Sequence, residues 1–290
     1  MFRVLGKGET PHFGKALNKV RASEHRELSA SSPLARSKYH WLRNSERTDD
    51  HSTRRKESLN RPGTMKREKI QPREDSAMKV IAVNGSPRKK WNTATILENA
   101  LKGAAQEGAE TELVHLYDLD FKGCVSCFAC KEKGGESYGR CAVKDDLAAV
   151  FENIRKADAL ILGSPIYLGD VSGEMRSFME RLLFPCLVYE DNAESLFPKK
   201  IPTAFVYTMN FPKTMVPQMG YERMFKANEA LLEWLLGPCE SLMSYDTLQF
   251  EDYSRYVAGR FDAAAKRKRH EEVFPEDCRK AFELGARMAG

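Results

Sequence analysis

The amino-acid sequence predicts an α/β protein with a doubly wound, five-stranded parallel sheet and helices on both faces, preceded by a disordered N-terminal arm. Two observations support this fold class. From residue 78 onward, short apolar segments alternate with segments of helical period. Such alternation is typical of parallel strands joined by helices that cover both faces of the sheet. The composition of the chain also changes at residue 78.

The arm, residues 1–77, differs from the remainder of the chain in charge and in apolar content. It contains 20 apolar residues, 18 Lys or Arg and 10 Asp or Glu, whereas residues 78–290 contain 28 Lys or Arg and 31 Asp or Glu. Too little apolar surface is available in the arm to offset the chain entropy lost on folding. We therefore expect a basic, disordered extension over 1–77, dispensable for function, and one folded domain over 78–290.

Composition also limits the partners and the compartment. Because the excess positive charge belongs to the arm, the net charge of +5 does not predict a nucleic-acid partner. No segment approaches the roughly 18 apolar residues of a membrane span. The seven cysteines all follow Met78, and no apolar signal follows Met1. An odd cysteine count in that setting predicts a reducing, cytoplasmic location.

The first half of the domain contains three predicted strands and two predicted helices. Residues 79–85 form an apolar run that ends in glycine, as expected of a buried parallel strand. Residues 93–106 and 145–157 carry apolar side chains at helical spacing. Residues 111–117 alternate in polarity and residues 159–163 are continuously apolar, so they predict the second and third strands.

The second half continues the alternation. The pattern predicts helices over 173–183 and 227–236, strands over 202–208 and 241–250, and a last helix after Pro275. Ligands of such sheets bind beyond the carboxyl ends of the strands. The loops after the first, third and fourth strands are therefore the expected binding region.

The loop after the first strand predicts a site for a terminal phosphate. It reads G-S-P-R-K-K-W-N-T from Gly85 and leads directly into a helix. Free N–H groups at the helix start would bind an oxyanion together with four side chains: Ser86, Arg88, Asn92 and Thr93. A dinucleotide site would need three glycines here, and only Gly85 is present. The alternative is that Asn92 or Thr93 merely caps the helix.

The loop after the third strand predicts a surface for a planar ring system. Four of its residues present flat apolar surface, and glycines at 169 and 173 let backbone N–H groups approach a ligand. The predicted wall consists of Pro165, Ile166, Tyr167, Leu168 and Gly169. The alternative is ordinary loop packing. A segment after the fourth strand, residues 211–221, is interpreted as a lid over the same region or, equally, as packing.

Together the two loops, G-S-P-R-x-x-x-N-T and S-P-I-Y-x-G-x-x-S-G-x-M, resemble those of the NAD(P)H-dependent FMN reductase and iron–sulfur flavoprotein group, which has the flavodoxin-like fold. The resemblance covers about residues 78–250. It implies that the first loop holds the FMN phosphate and that the wall lines the isoalloxazine. It also implies a homodimer or homotetramer with the flavin near a subunit interface.

Two classes of function follow from this resemblance. One is an FMN-dependent oxidoreductase that uses NAD(P)H to reduce a quinone, flavin or similar acceptor. The alternative is an iron–sulfur flavoprotein electron carrier that receives electrons from a ferredoxin-like partner. Because the flavin carries the hydride chemistry, no catalytic acid, base or nucleophile of the protein is expected. A third interpretation is a module of this fold that has lost its cofactor.

Four cysteines after the second strand form a candidate metal site. Cys124, Cys127, Cys130 and Cys141 have the spacing C-x2-C-x2-C-x10-C. Short cysteine spacing is how a chain binds a cubane cluster, so these thiolates predict a possible 4Fe-4S site. Iron–sulfur flavoproteins carry a compact set of this type, from which this chain departs in its long last gap. The alternatives are redox-active thiols or small buried side chains. The other three cysteines and His115 are expected to be structural.

Overall fold

The strands of the domain form one sheet around a central strand. The computed structural model describes residues 77–191 and 193–290. The strands are β1 (Lys79–Asn84), β2 (Glu110–His115), β3 (Ala159–Tyr167), β4 (Asp170–Val171), β5 (Thr203–Thr208) and β6 (Cys239–Ser244). Five of them are parallel in the order β2–β1–β3–β5–β6, and β4 pairs with β3 in the antiparallel sense. Apart from Ala77, the arm lies outside the described residues, so its disorder stays a prediction.

Helices cover both faces of the sheet. They are α1 (Asn92–Gln106), α2 (Leu147–Lys156), α3 (Gly173–Leu183), α4 (Val216–Met219), α5 (Tyr221–Leu235), α6 (Ala263–Glu272) and α7 (Phe274–Ala289). Alternate residues of the central strands point to opposite faces. One set packs against α1 and α7, and the other against α2, α3 and α5. The predicted doubly wound, flavodoxin-like architecture is confirmed.

The helices α1 and α7 contact each other backbone to backbone. A Cβ atom placed on Gly285 would lie 1.7 Å from the carbonyl oxygen of Ala100, and one on Gly103 would lie 1.9 Å from that of Phe282. No side chain fits at either glycine unless the helices move apart. The C-terminal helix is therefore part of the main core.

Several predicted boundaries are wrong. The third strand continues through the predicted loop to Tyr167, since residues 164–165 still pair with β5 and residues 166–167 pair with β4. The sheet thus has a short sixth strand. The last strand ends at Ser244, six residues earlier than predicted. Helix α5 begins at Tyr221, six residues before the predicted start, because the sequence pattern marked only its more apolar half.

Helix α6 was not predicted at all. It is almost entirely polar, and Lys266 is its one buried residue. Two features stabilise it instead of an apolar stripe. The Asp262 side chain caps its N-terminus by accepting from two backbone N–H groups. The Lys266 ammonium donates to the Asn210 carbonyl at 2.9 Å and pairs with Asp246.

Within the part of the chain that the structure describes, none of the helices has the length and apolar character that crossing a bilayer requires.

Candidate cofactor site

The loops after β1 and β3 are fixed to each other at Gly85. The Gly85 N–H donates to the Gly163 carbonyl at 2.8 Å, and the Gly85 carbonyl accepts from the Ser172 hydroxyl at 2.6 Å. A Cβ atom on Gly85 would lie 2.8 Å from the Cβ of Met175. The glycine is therefore required by close packing against α3. The two predicted binding loops form one unit at the carboxyl edge of the sheet.

The turn that carries Ser86 is held by a residue that the sequence analysis did not select. The Asn84 side chain accepts from the Ser86 N–H at 3.0 Å and donates to the Ser86 carbonyl at 3.3 Å. The Asn84 amide nitrogen also lies 2.9 Å from Nδ1 of His115. His115 thus makes a structural contact, as expected from the sequence. Ser86 is buried, and its hydroxyl accepts from the Arg88 N–H at 3.2 Å.

Helix α1 begins beside this turn without a side-chain cap. Its N-cap residue is Trp91, whose side chain accepts no hydrogen bond from the helix, and its first turn contains no acidic residue. The alternative that Asn92 or Thr93 merely caps the helix is therefore wrong. The N–H groups at a helix start together with the helix dipole favour an anion. The start of α1 thus fits the phosphate predicted for it.

Two of the predicted phosphate-binding side chains also contact a segment after β6. Both terminal nitrogens of Arg88 donate to the Gln249 carbonyl at 2.8 Å, and the Asn92 amide donates to the Leu248 carbonyl at 2.8 Å. The Trp91 indole N–H donates to that same Leu248 carbonyl at 3.0 Å. The Arg88 guanidinium has five N–H groups, so these contacts leave it further donors for a phosphate. The segment forms an unpredicted side of the site.

The floor of the site contains a pair of threonines. The hydroxyls of Thr93 and Thr208 lie 2.7 Å apart, and both side chains are buried. Thr208 ends β5, so the pair joins the start of α1 to the carboxyl edge of the sheet. Thr208 was not among the predicted residues. The sequence could have indicated Thr208, because it is a polar residue at the end of a buried strand, on the edge of the sheet where ligands bind.

The predicted ring wall is a hairpin tip. Pro165 and Ile166 are half-buried, whereas Tyr167 and Leu168 are exposed. The turn between β3 and β4 consists of Leu168 and Gly169, with φ values of 52° and 91°. Positive φ at both positions matches the two-residue turns that suit the twist of a hairpin. A leucine in that conformation is strained, and such strain is concentrated at functional sites.

The hairpin lies close to the phosphate loop. The two loops follow β1 and β3, which are neighbouring parallel strands, so both loops lie at the same edge of the sheet. Partial burial raises the pKa of the Tyr167 hydroxyl, and the Arg88 charge partly opposes this. The 211–221 segment packs into the core at Val216, in its middle, and at Tyr221, its last residue. Packing accounts for these two positions.

The four cysteines of the candidate metal site line one small cavity. Cys124 and Cys127 are exposed, Cys141 is half-buried, and Cys130 is buried. Between the first three, Ser126 and Phe128 have φ values of 53° and 57°. These left-handed residues curl the chain around the cavity.

The donor chemistry of this cavity fits an iron–sulfur cluster, because four sulfurs from both ends of the long gap reach it. Among the described residues, no three Cys, His, Asp or Glu side chains are arranged to hold a single metal ion. A cluster of several irons needs its thiolates further apart than one ion does. Burial raises the pKa of the Cys130 thiol.

The strand order and the position of the phosphate loop define a class of protein. A parallel sheet in this order, with an anion site predicted after its first strand, has the flavodoxin-like fold, the class that binds FMN where the strand order reverses. Residues 78–209 match the family model described as NADPH-dependent FMN reductase. The resemblance predicted from the two loops is confirmed.

Individual proteins show the same resemblance. The chain is 40% identical over 104 residues to an iron–sulfur flavoprotein of Methanocaldococcus jannaschii, covering 36% of this chain and 51% of that one. The chain spans about half the length of the curated relatives it matches.

Two solved structures share the fold. An NAD(P)H:quinone oxidoreductase from Methanothermobacter marburgensis matches with a TM-score of 0.55 and 14% identity, over 73% of this chain and 98% of that one. An FMN-dependent NADH-azoreductase from Bacillus anthracis, in complex with FMN, matches with a TM-score of 0.52 and 12% identity, over 73% and 100%.

Proposed function

We propose that the domain is an FMN-dependent oxidoreductase that uses NAD(P)H to reduce a quinone, a flavin or a similar small acceptor. The observation that carries this proposal is the uncapped start of α1 beside a loop of Ser86 and Arg88. The family model and the flavin enzymes that share the fold support it.

Each part of the site has a separate role in this mechanism. The N–H groups of α1, with Ser86 and Arg88, bind the phosphate. Pro165 and Ile166 provide apolar surface that positions the ring and excludes water from one of its sides. Bound FMN supplies hydride acceptance and electron release in one- or two-electron steps. The protein therefore needs no nucleophile or acid–base pair of its own.

Anaerobic visible spectroscopy tests the proposal. Protein purified with FMN is mixed with NADPH or with NADH, and the oxidised flavin absorbance is followed before and after a quinone is added. We expect rapid bleaching by at least one nucleotide and recovery with the quinone. Protein that binds no FMN, or whose flavin stays oxidised with both nucleotides, would contradict the enzyme proposal.

A second function, an iron–sulfur flavoprotein electron carrier with a ferredoxin-like partner, is favoured by the cysteine cavity. Protein prepared anaerobically is then expected to contain about four irons per chain, as for a cubane with four thiolate ligands. Iron and acid-labile sulfide are assayed directly, because cluster and flavin absorbance overlap. Cys141→Ala is expected to lower the iron content sharply, whereas Cys278→Ala is not. Flavin-containing protein with neither iron nor sulfide contradicts this function.

We also propose a cytoplasmic homodimer or homotetramer. The free state of all seven cysteines supports a reducing compartment. The exposed Tyr167 and Leu168 at the hairpin tip supply apolar surface beside the flavin site, where a second subunit would cover them. Light scattering on the purified chain gives its mass directly, and a monomer at working concentrations contradicts the proposal.

A further inference from the structure

A buried arginine lies directly beside the cysteine cavity. Arg181, on α3, is 2% exposed and uses its whole guanidinium in hydrogen bonds. Its Nε donates to Sγ of Cys141 at 3.3 Å. Its terminal nitrogens donate to the carbonyls of Lys122 (3.1 Å) and Val143 (3.4 Å) and to both carboxylate oxygens of Asp145.

These contacts join the two ends of the cysteine segment. Lys122 stands two residues before Cys124, and Cys141 follows the ten-residue gap. The sequence alone leaves the position of Cys141 open because that gap is long. In the structure, one guanidinium contacts the chain on both sides of it.

The preceding residue on α3 holds the first cysteine. The Glu180 carboxylate accepts from the Cys124 N–H at 3.2 Å. A Cβ atom on Gly123 would lie 3.0 Å from the same carboxylate oxygen, so a glycine allows this close approach. Two consecutive residues of one helix thus contact the first and the last cysteine of the set.

The charge of Arg181 has no evident advantage for stability alone. Burying an ion pair removes two charged groups from water, and apolar side chains of similar volume often stabilise a core as well or better. The guanidinium differs from an apolar side chain in offering donors in several fixed directions at once. That property matches the four residues that accept its hydrogen bonds here.

We propose that Arg181 is a positioning residue that assembles the four-cysteine set by holding Cys141 in the cavity lined by the other three. This inference rests on the iron–sulfur function proposed above. Arg181 is an outer donor to a ligand sulfur, not itself a ligand. Hydrogen bonds to cluster sulfurs are among the factors that set the reduction potential.

The test compares Arg181→Lys with the wild-type chain. Lysine keeps the charge but concentrates its donors at one point, so it cannot reach all four partners. In metal-free, folded protein we expect iodoacetamide to alkylate Cys141 at least about fivefold faster, measured by peptide mass spectrometry, with Cys278 unchanged. After anaerobic reconstitution we expect at least about threefold less iron per chain. Any cluster that remains should have a more negative reduction potential.

Two controls separate positioning from folding. Arg287→Lys makes the same substitution on α7 at an exposed arginine that pairs with Glu240, and it should match the wild type in every readout. The double variant Arg181→Lys with Cys141→Ala should bind no less iron than Cys141→Ala alone, because both changes remove the same ligand. Bound FMN reports folding. If Arg181→Lys loses FMN, Asp145→Asn, which removes the carboxylate that orients the guanidinium, takes its place.

The outcomes distinguish the inference from the function it rests on. Wild-type alkylation of Cys141 in a folded Arg181→Lys chain overturns the positioning role, whatever the iron content. Additive iron losses in the double variant overturn it as well. A wild-type chain that takes up no iron overturns the iron–sulfur function, while the alkylation rates still decide whether Arg181 holds Cys141.

Discussion

The Arg88 guanidinium donates two hydrogen bonds of 2.8 Å to the backbone carbonyl of Gln249, and its Cζ atom lies 4.4 Å from the centre of the Trp91 ring. A residue of the phosphate loop thus also fixes a segment that follows β6. That segment lies beyond residue 209, where the family match ends. Arg88 therefore has a structural contact in addition to the phosphate role proposed for it.

Replacing Arg88 separates these two roles. Arg88→Ala is expected to weaken FMN binding by about 1.5–3 kcal/mol, the usual scale for a charge-assisted hydrogen bond to phosphate. Riboflavin, which has no phosphate, should bind the variant and the wild type almost equally. Flavin fluorescence titration measures both affinities, with Lys90→Ala as the matched control for loss of one positive charge. Equal losses for both ligands would show that Arg88 acts through the Gln249 contact.

Removing the arm tests the proposed domain boundary. The Lys79 backbone N–H already donates to the Asp158 carboxylate at 2.9 Å, so the sheet is anchored from its first strand residue. Residues 78–290 alone are expected to bind FMN with the affinity of the full chain. Their Tm should lie within about 3 °C of it, corresponding to less than about 1 kcal/mol. An insoluble or flavin-free shorter chain would show that residues 1–77 take part in the fold.

The contact between α1 and α7 predicts an unusually costly glycine substitution. Gly285→Ala forces a methyl group against the Ala100 backbone, so we expect the free energy of unfolding to fall by about 3 kcal/mol or more. Gly259→Ala is the control, because nothing lies within 4 Å of its added Cβ. It should change stability by less than about 1 kcal/mol. Urea unfolding followed by circular dichroism compares the two. Similar values for both variants would mean that the helices separate easily.

The buried thiol of Cys186 predicts a loss of stability in alkali. Burial raises its pKa to about 11, although Arg155 and Lys131 oppose this. The unfolded chain releases this proton near pH 8.5, so from there to about pH 11 the unfolded state binds fewer protons. The free energy of unfolding then falls as pH rises, by roughly 3 kcal/mol in total. Below pH 8 the thiol is protonated in both the folded and the unfolded state, so the free energy of unfolding is not lowered by its ionisation.

Unfolding of Cys186→Ala at pH 7.5 and pH 10.5 isolates this effect. We expect the decrease between the two pH values to be smaller in this variant than in the wild type. Cys124→Ala, which removes an exposed thiol, should keep the wild-type decrease. An unchanged decrease in Cys186→Ala would mean that the thiol ionises without affecting the fold.

The strands and the larger helices could be predicted because their apolar residues repeat with a clear period. The helix over 173–183 follows from such a period. The loop after the first strand was predicted instead from its polar and basic residues directly before a helix. Helix α6 could not be predicted, because its stability depends on the Lys266 contacts and the Asp262 cap. The third strand was predicted only over the apolar run 159–163, with the Pro165 region as the following loop, yet Pro165 forms the last pairing with β5.

The parts of the candidate site that the sequence analysis missed are contacts that no side-chain pattern marks. Leu248 and Gln249 contribute backbone carbonyls, which any residue type could supply. Asn84 and Thr208 are single polar residues at strand ends, and only the strand order shows that they face the same ligand region. The Arg181 contacts depend on a partner forty residues away in the sequence. Spacing alone cannot reveal such a pairing.

The close contacts at Gly103 and Gly285, which join α1 to α7, affect when this domain can fold during synthesis. Helix α7 begins at Phe274, and the ribosome makes it long after α1 ends at Gln106. Because non-local contacts impose a large loop-closure entropy, domains with such pairings fold slowly. The side of α1 that packs against α7 must stay uncovered until α7 has been synthesised. Chaperones that bind exposed apolar helices therefore have a long interval in which to engage the nascent chain.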